Sequence, residues 1–354
     1  MSDAALDALF LPLQQGQIPW PADGALFLRA RAGVPTTGGR WPGLVCEQSF
    51  QPSHMALARS GLEVLPAGGG DPVLPRKSLV LVLPPRQRDE SRAVLARALQ
   101  AVTLGGWVVA SVANDEGARS AQDDLARVAG NIGALSKHKC RVFWAQAGET
   151  VDLALVESWA ALDRPRDVLE GRFRSRPGVF AWDRVDPASA LLASHLPVTL
   201  AGHGADLGAG YGFLSAELLQ RCPGITALDL YEAEGRALAL ARHNLAALGA
   251  GTALDYHWHD VTAGLPRHYD FIVSNPPFHA LGREGRPDIG RAFIAAAASA
   301  LNPGGALWLV ANRHLPYEDV LDSRFSEVHE IASSGAFKVI HAVRAHAAPM
   351  RHRA

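Results

Sequence analysis

Cysteine, lysine and long apolar runs are all scarce in this chain of 354 residues, and each shortage excludes something. The three cysteines, Cys46, Cys140 and Cys222, lie far apart and show no metal-ligand spacing. They fit reduced thiols better than a disulfide framework. No apolar run reaches the ~18 residues of a membrane span, so no membrane partner is expected. The opening Met1-Ser2-Asp3-Ala4 carries no basic leader before an apolar segment, and a cytoplasmic location is expected. A net charge of −1 excludes binding of nucleic acid by bulk electrostatics. Positive charge is nearly all arginine, because Lys77, Lys137, Lys139 and Lys338 are the only lysines. Among scattered histidines only His257 and His259 form a close pair, and without further ligands nearby no metal is expected. What is abundant is apolar: 48% hydrophobic residues supply cores for two domains of ordinary size.

The two halves follow one plan. Leu79-Val80-Leu81-Val82-Leu83 reads as a buried strand ended by Pro84-Pro85, and Asp89 to Val102 has helical spacing that Gly105-Gly106 breaks. Trp107-Val108-Val109-Ala110 starts another strand, as Ala25-Leu26-Phe27-Leu28 and Gly43-Leu44-Val45-Cys46 do earlier. Roughly 200 residues on, Phe271-Ile272-Val273-Ser274-Asn275-Pro276-Pro277 repeats the diproline strand, and Leu301-Asn302-Pro303-Gly304-Gly305 repeats the glycine pair. Asn114 falls near Asn312, and Gly133-Ala134-Leu135 near Gly335-Ala336-Phe337. The spacing predicts an internal duplication of one α/β domain. We expect residues 1–160 to form a degenerate copy without a cofactor site, a scaffold or RNA platform, and residues 161–354 to form the catalytic copy. Each is expected to be a mostly parallel sheet with helices on both faces. In the second copy 328–331 and 338–341 should pair as a closing antiparallel hairpin. Between the copies, Arg164, Arg166, Arg172, Arg174 and Arg176 read first as a solvated linker and second as a phosphate-contacting strip.

The copies differ where chemistry would sit. Gly204-Ala205-Asp206-Leu207-Gly208-Ala209-Gly210-Tyr211-Gly212 comes between an apolar approach and a helical stretch. Such glycines let the backbone pass close to a ligand, and Asp206 can accept from an amino-bearing group. The dinucleotide fingerprint would need a small third residue at Phe213, which counts against NAD or FAD. Asp229, about twenty residues on, stands where an acid can take both ribose hydroxyls. Asp260 ends a third strand, where it could accept from an adenine amine. Asn275 then stands at the carboxyl end of a strand that two prolines must terminate. An amide, a rigid diproline and Phe278 can hold a planar base by its exocyclic amine, although Asn-Pro alone also marks ordinary turns.

Taken in order, Asp206 to Gly212, Asp229, Asp260 and Asn275-Pro276-Pro277-Phe278 resemble the class I S-adenosylmethionine-dependent methyltransferases. The longer set includes Arg176-Pro177-Gly178-Val179-Phe180, Asp186 to Leu192, His279, Gly304-Gly305, Leu315-Pro316-Tyr317 and Gly335 to Val339. It resembles the bacterial ribosomal RNA guanine-N2 methyltransferases of the small-subunit type and their large-subunit relatives. That resemblance covers about 170–345 and implies two tandem Rossmann-like domains, the first inactive and the second built on a seven-stranded sheet. It implies transfer of a methyl group to guanine N2 in ribosomal RNA, free or within a subunit, with S-adenosylmethionine as cofactor. A monomer is expected, though the residues leave oligomeric state open.

Phe180, Ala209, Leu230 and Val261 then join the expected cofactor contacts of Asp206, Gly208, Gly210, Gly212, Asp229, Asp260 and Asn275. Asn275 and Pro276 would accept hydrogen bonds from the amine, Pro277 would fix the carbonyl direction and Phe278 would stack on an unstacked base. His279, Arg283, Arg313 and Lys338 are the expected RNA contacts. Guanine N2 of large-subunit RNA, adenine N6, a glutamine side chain, and a non-enzymatic RNA-binding assembly factor remain the competing readings.

Overall fold

The computed structural model describes residues 3–37, 39–66, 71–249, 251–277 and 287–346. The chain divides into two compact units, 1–166 with 176–178, and 167–175 with 179–354.

In the first unit, helices α1 (Ala4–Leu9) and α2 (Leu11–Gln14) precede strands β1 (Ala25–Leu28) and β2 (Leu44–Glu47). There follow α3 (Gln51–Arg59), β3 (Glu63–Val64), β4 (Lys77–Val82), α4 (Arg88–Ala101), β5 (Val102–Ala113) and α5 (Ala118–Ala129). Strands β6 (Ile132–Lys137) and β7 (Cys140–Gln146) and helix α6 (Leu153–Ala160) complete it. A short ribbon of β8 (Arg166–Val168) and β9 (Phe173–Ser175) comes next.

The second unit runs α7 (Pro187–His195), β10 (Ala201–Leu207), α8 (Phe213–Arg221), β11 (Gly224–Glu232), α9 (Gly235–Leu245) and β12 (Ala253–Trp258). It continues with β13 (Tyr269–Ser274), α10 (Pro287–Ala300), β14 (Leu301–Asn312), α11 (Glu318–Asp322), β15 (Glu327–Ser334) and β16 (Phe337–Val343).

The sheets have one topology. Their orders are β3-β2-β1-β4-β5-β7-β6 and β12-β11-β10-β13-β14-β16-β15. Both are mixed rather than parallel throughout. Pairing is parallel from β12 across to β14, whereas β16 runs antiparallel to both β14 and β15, and the first sheet does the same. The antiparallel edge is the predicted closing hairpin, with His329 opposite His341.

Alternation along the central strands buries both faces, as sheets covered by crossover helices require. In β13, Phe271 and Val273 enter the core under α7, α8 and α9, while Ile272 enters the core under α10 and α11. In β4, Leu79 and Leu81 pack towards α1 and α3, and Val80 and Val82 towards α4, α5 and α6. The glycine pairs are not the breakers expected of them. Helix α4 ends at Ala101 without a glycine, and Gly105-Gly106 and Gly304-Gly305 lie inside the long strands β5 and β14.

Strand order reverses between β10 and β13. Open α/β sheets bind ligands at the carboxyl ends of strands beside such a point.

Candidate active site

Three strand ends build the site: Leu207 of β10, Glu232 of β11 and Ser274 of β13. Ser274 Oγ donates to the Leu207 carbonyl at 2.8 Å and ties two of those ends together. Beyond Leu207, Gly208 and Ala209 donate their backbone N–H groups to the Tyr231 carbonyl at 2.8 and 3.1 Å, which folds the loop back over β11. Gly210 has φ +56, and a Cβ there would meet no atom within 4 Å, so it would project into open space. Glycine keeps that space clear and adopts the left-handed conformation without strain. A cavity opens here, lined by Phe180, Asp186, Ser189, Gly208, Gly210 and Asn275 among others.

Asn275 is fixed in orientation. Its Nδ2 donates to Asp186 Oδ2 at 2.9 Å and to Ser189 Oγ at 2.8 Å. An ionised carboxylate can only accept, so the amide nitrogen must face Asp186 and Oδ1 is the atom left over. Pro276 is buried and Pro277 exposed. Phe278, His279 and Arg283 lie outside the described residues.

The acids divide by role. Asp206 is fully buried, accepts from Ser215 Oγ at 2.7 Å and leaves Oδ1 without a partner among the described residues. Burial pushes its carboxyl up to about 7, against the Ser215 hydrogen bond and with help from nearby Glu232. Glu232 Oε2 accepts from the Gly210 N–H at 2.8 Å and Oε1 from the Glu234 N–H at 2.7 Å. Burial raises its pKa too. Here sequence reasoning missed a residue. In sequence the apolar run toward β11 ends at its first acid, Asp229, but the strand continues through Leu230 and Tyr231 to Glu232.

Asp229 is therefore placed mid-strand and 2% exposed. His203 Nε2 lies 3.1 Å from its Oδ1, while Tyr269 and Arg267 donate to Oδ2 at 2.8 and 3.0 Å. Burial alone would raise its pKa, but the His203 and Tyr269 hydrogen bonds with the Arg267 charge hold it below the usual value. Asp229, Asp255 and His257 lie close enough together to ligate a cation. The Arg267 guanidinium already bridges the two carboxylates, at 3.0 and 2.9 Å. Both paired histidines pack against Tyr231, His257 stacked on the ring and His259 edge-on to it, and His259 Nε2 meets the Gly264 carbonyl at 2.7 Å.

Several other expected contacts are also engaged elsewhere. Leu230 is buried in the core under α8 and α9, and Val261 in the core under α10. Asp260 caps its own turn through the Thr262 N–H at 2.9 Å. Lys338 is buried and pairs with Glu318 at 2.6 Å, which removes it from an RNA-facing surface. Arg313 is exposed. Phe180 is 66% exposed at the cavity. Of the arginine strip, Arg176 is buried between Asp163 and Asp71, Arg172 pairs with Glu217 and Arg174 with Asp167. A phosphate would find most of it already neutralised.

A glycine loop folded over a strand-end acid, facing an oriented Asn-Pro-Pro across a switch point, defines a methyltransferase-type α/β domain. The methyltransferase small domain family matches residues 170–341. The ribosomal RNA small subunit methyltransferase C of Salmonella paratyphi A is 32% identical over 260 residues, 73% of each chain. That of Sodalis glossinidius is 32% identical over 73% of this chain and 72% of its own. This chain belongs to the ribosomal RNA small subunit methyltransferase C family. In fold it is similar to the T. thermophilus 16S rRNA N2 G1207 methyltransferase solved with AdoMet and guanosine. That likeness has a TM-score of 0.76 at 24% identity, over 97% of this chain and 92% of that one.

Proposed function

We propose that this protein transfers a methyl group from S-adenosylmethionine to the exocyclic N2 of a guanine in 16S ribosomal RNA. The observation that carries the reading is Asn275, whose amide nitrogen is held by Asp186 and Ser189 so that Oδ1 remains for an incoming amine. The site also fits the cofactor. The partnerless Asp206 Oδ1, the half-buried Glu232 carboxylate and the open space above Gly210 suit a ligand rich in amino and hydroxyl groups. We assign Gly208, Gly210, Asp206 and Glu232 to holding it, with Glu232 in the ribose role expected of Asp229, and Phe180 to covering it. When bound, S-adenosylmethionine supplies an electrophilic methyl group.

The protein's task is the amine. A guanine N2 lone pair is delocalised into the ring, and the amine must pyramidalise before it can attack. Asn275 Oδ1 and the Pro276 carbonyl oxygen accept its two N–H groups and favour that geometry. The developing positive charge is stabilised by the same two oxygens. Neither is basic enough to take the proton beforehand, so it leaves to water once the new bond has formed. The base must leave its stack to enter. Arg313 remains the candidate RNA contact among the described residues, the first unit is assigned to scaffold or RNA positioning, and the enzyme is assigned to the cytoplasm.

Mass mapping of ribosomal RNA from a strain lacking this protein tests the assignment. One 2-methylguanosine should vanish from 16S RNA and return on complementation. Unchanged 16S RNA, or a loss confined to 23S RNA or to a methyladenine, would overturn it.

A further inference from the structure

We infer that Asp186 and Ser189, at the start of α7, are positioning residues that set which face of the Asn275 amide meets the substrate. This rests on the proposed role of Asn275. A free asparagine side chain exchanges its oxygen and nitrogen by rotating about one bond, and presenting nitrogen would oppose one donor to another. Here Asp186 Oδ2 accepts from Nδ2 at 2.9 Å while also accepting from the Ser189 N–H at 2.9 Å. Ser189 Oγ accepts the second Nδ2 hydrogen at 2.8 Å. Both amide donors are thereby used, and the helix cap doubles as the orienting contact.

The first unit supplies the contrast. Its α1 is capped in the same way by Asp3, which accepts from the Leu6 N–H at 3.1 Å. Capping alone therefore requires only the aspartate. Where β4 is followed by Leu83 instead of an asparagine, the third position of the cap is Leu6 instead of a serine, and Asp3 pairs with Arg31 at 2.9 Å. The aspartate-serine pair accompanies the asparagine.

The test uses the full-length enzyme on small ribosomal subunits from a strain lacking this protein. Asp186→Ser keeps a good helix cap and removes the carboxylate. It should lower kcat about 10- to 100-fold, leave the affinity for S-adenosylhomocysteine within about twofold and leave the melting temperature unchanged. A second variant pair reads orientation directly. Asn275→Asp sets two carboxylates against each other and should be nearly inactive, and adding Asp186→Asn restores a donor facing an acceptor and should recover kcat at least about tenfold. An unchanged kcat in Asp186→Ser, a parallel loss of cofactor affinity, or a double variant no faster than Asn275→Asp would overturn the inference. Methylation that survives Asn275→Ala would instead overturn the reading of the site itself.

Discussion

Strands β1 and β10 end alike, at Leu28 and Leu207, and the two units diverge from the next residue onward. Leu28 pairs with Val82 and Leu207 with Ser274, so the strand register sets Arg29 against Gly208, Arg31 against Gly210 and Leu83 against Asn275. It also sets Gln48 against Glu232. Gln48 Oε1 accepts from the Phe50 N–H at 2.8 Å, as Glu232 Oε1 accepts from Glu234. But the Gln48 amide donates to the Ala30 carbonyl, where Glu232 accepts from the Gly210 N–H. Arg29, at φ +56, pairs with Glu90 at 3.4 Å and donates its own backbone N–H to the Glu47 carboxylate at 3.0 Å. At the switch point of the first unit Arg29 meets Glu47 and Glu90, and at that of the second a cavity opens beside Gly208, Gly210 and Asn275. The same backbone topology supports both, which is why function must be argued from the site.

The comparison breaks most sharply at Asn275. Asn275→Ala should lower kcat by about 10³-fold or more while binding of S-adenosylhomocysteine stays nearly intact, measured by single-turnover methylation and by calorimetry. Equal loss of both would make the residue structural.

Asp206 comes next, because its counterpart in the first unit is the apolar, fully buried Phe27. A carboxyl whose folded pKa is about 7, above its ordinary 3.8, holds its proton more tightly when folded. Stability is then lost as pH rises from about 4 to about 7, by roughly 2–4 kcal/mol. Asp206→Asn should remove most of that slope in urea unfolding of the ligand-free protein. An unchanged slope would contradict the account.

Glu232→Ala should weaken S-adenosylhomocysteine about 10- to 100-fold. Asp229→Ala should leave that affinity intact and cost about 1–3 kcal/mol in stability, because it strips Tyr269 and His203 of their acceptor. The opposite pattern would restore Asp229 to the site. The smallest effect belongs to Arg29→Gly, which loses the Glu90 ion pair but keeps the backbone N–H that Glu47 accepts, and should cost at most about 1 kcal/mol in melting experiments without creating a second cofactor site.

Much of this was legible in the sequence because it is local. A buried apolar run ended by two prolines locates β13 and β4, and glycines at alternate positions locate the loop after β10. The repeat spacing anticipated that the two sheets share one topology. What was not legible depends on where strands stop and which neighbour a charge finds. Asp229 and Glu232 are three residues apart on one strand, and only the register shows which reaches the open end. Lys338 read as an RNA contact until Glu318 was brought beside it from α11. Asp186 read as part of a motif, and its contact with Asn275 spans 89 positions in sequence.

The most direct measurement is calorimetric titration of S-adenosylhomocysteine into the full chain, with Gly208→Arg and Arg29→Gly beside it. The account predicts one equivalent per wild-type chain, none for a folded Gly208→Arg variant and still one for Arg29→Gly. Two equivalents in the wild type, or binding that survives Gly208→Arg, would contradict it.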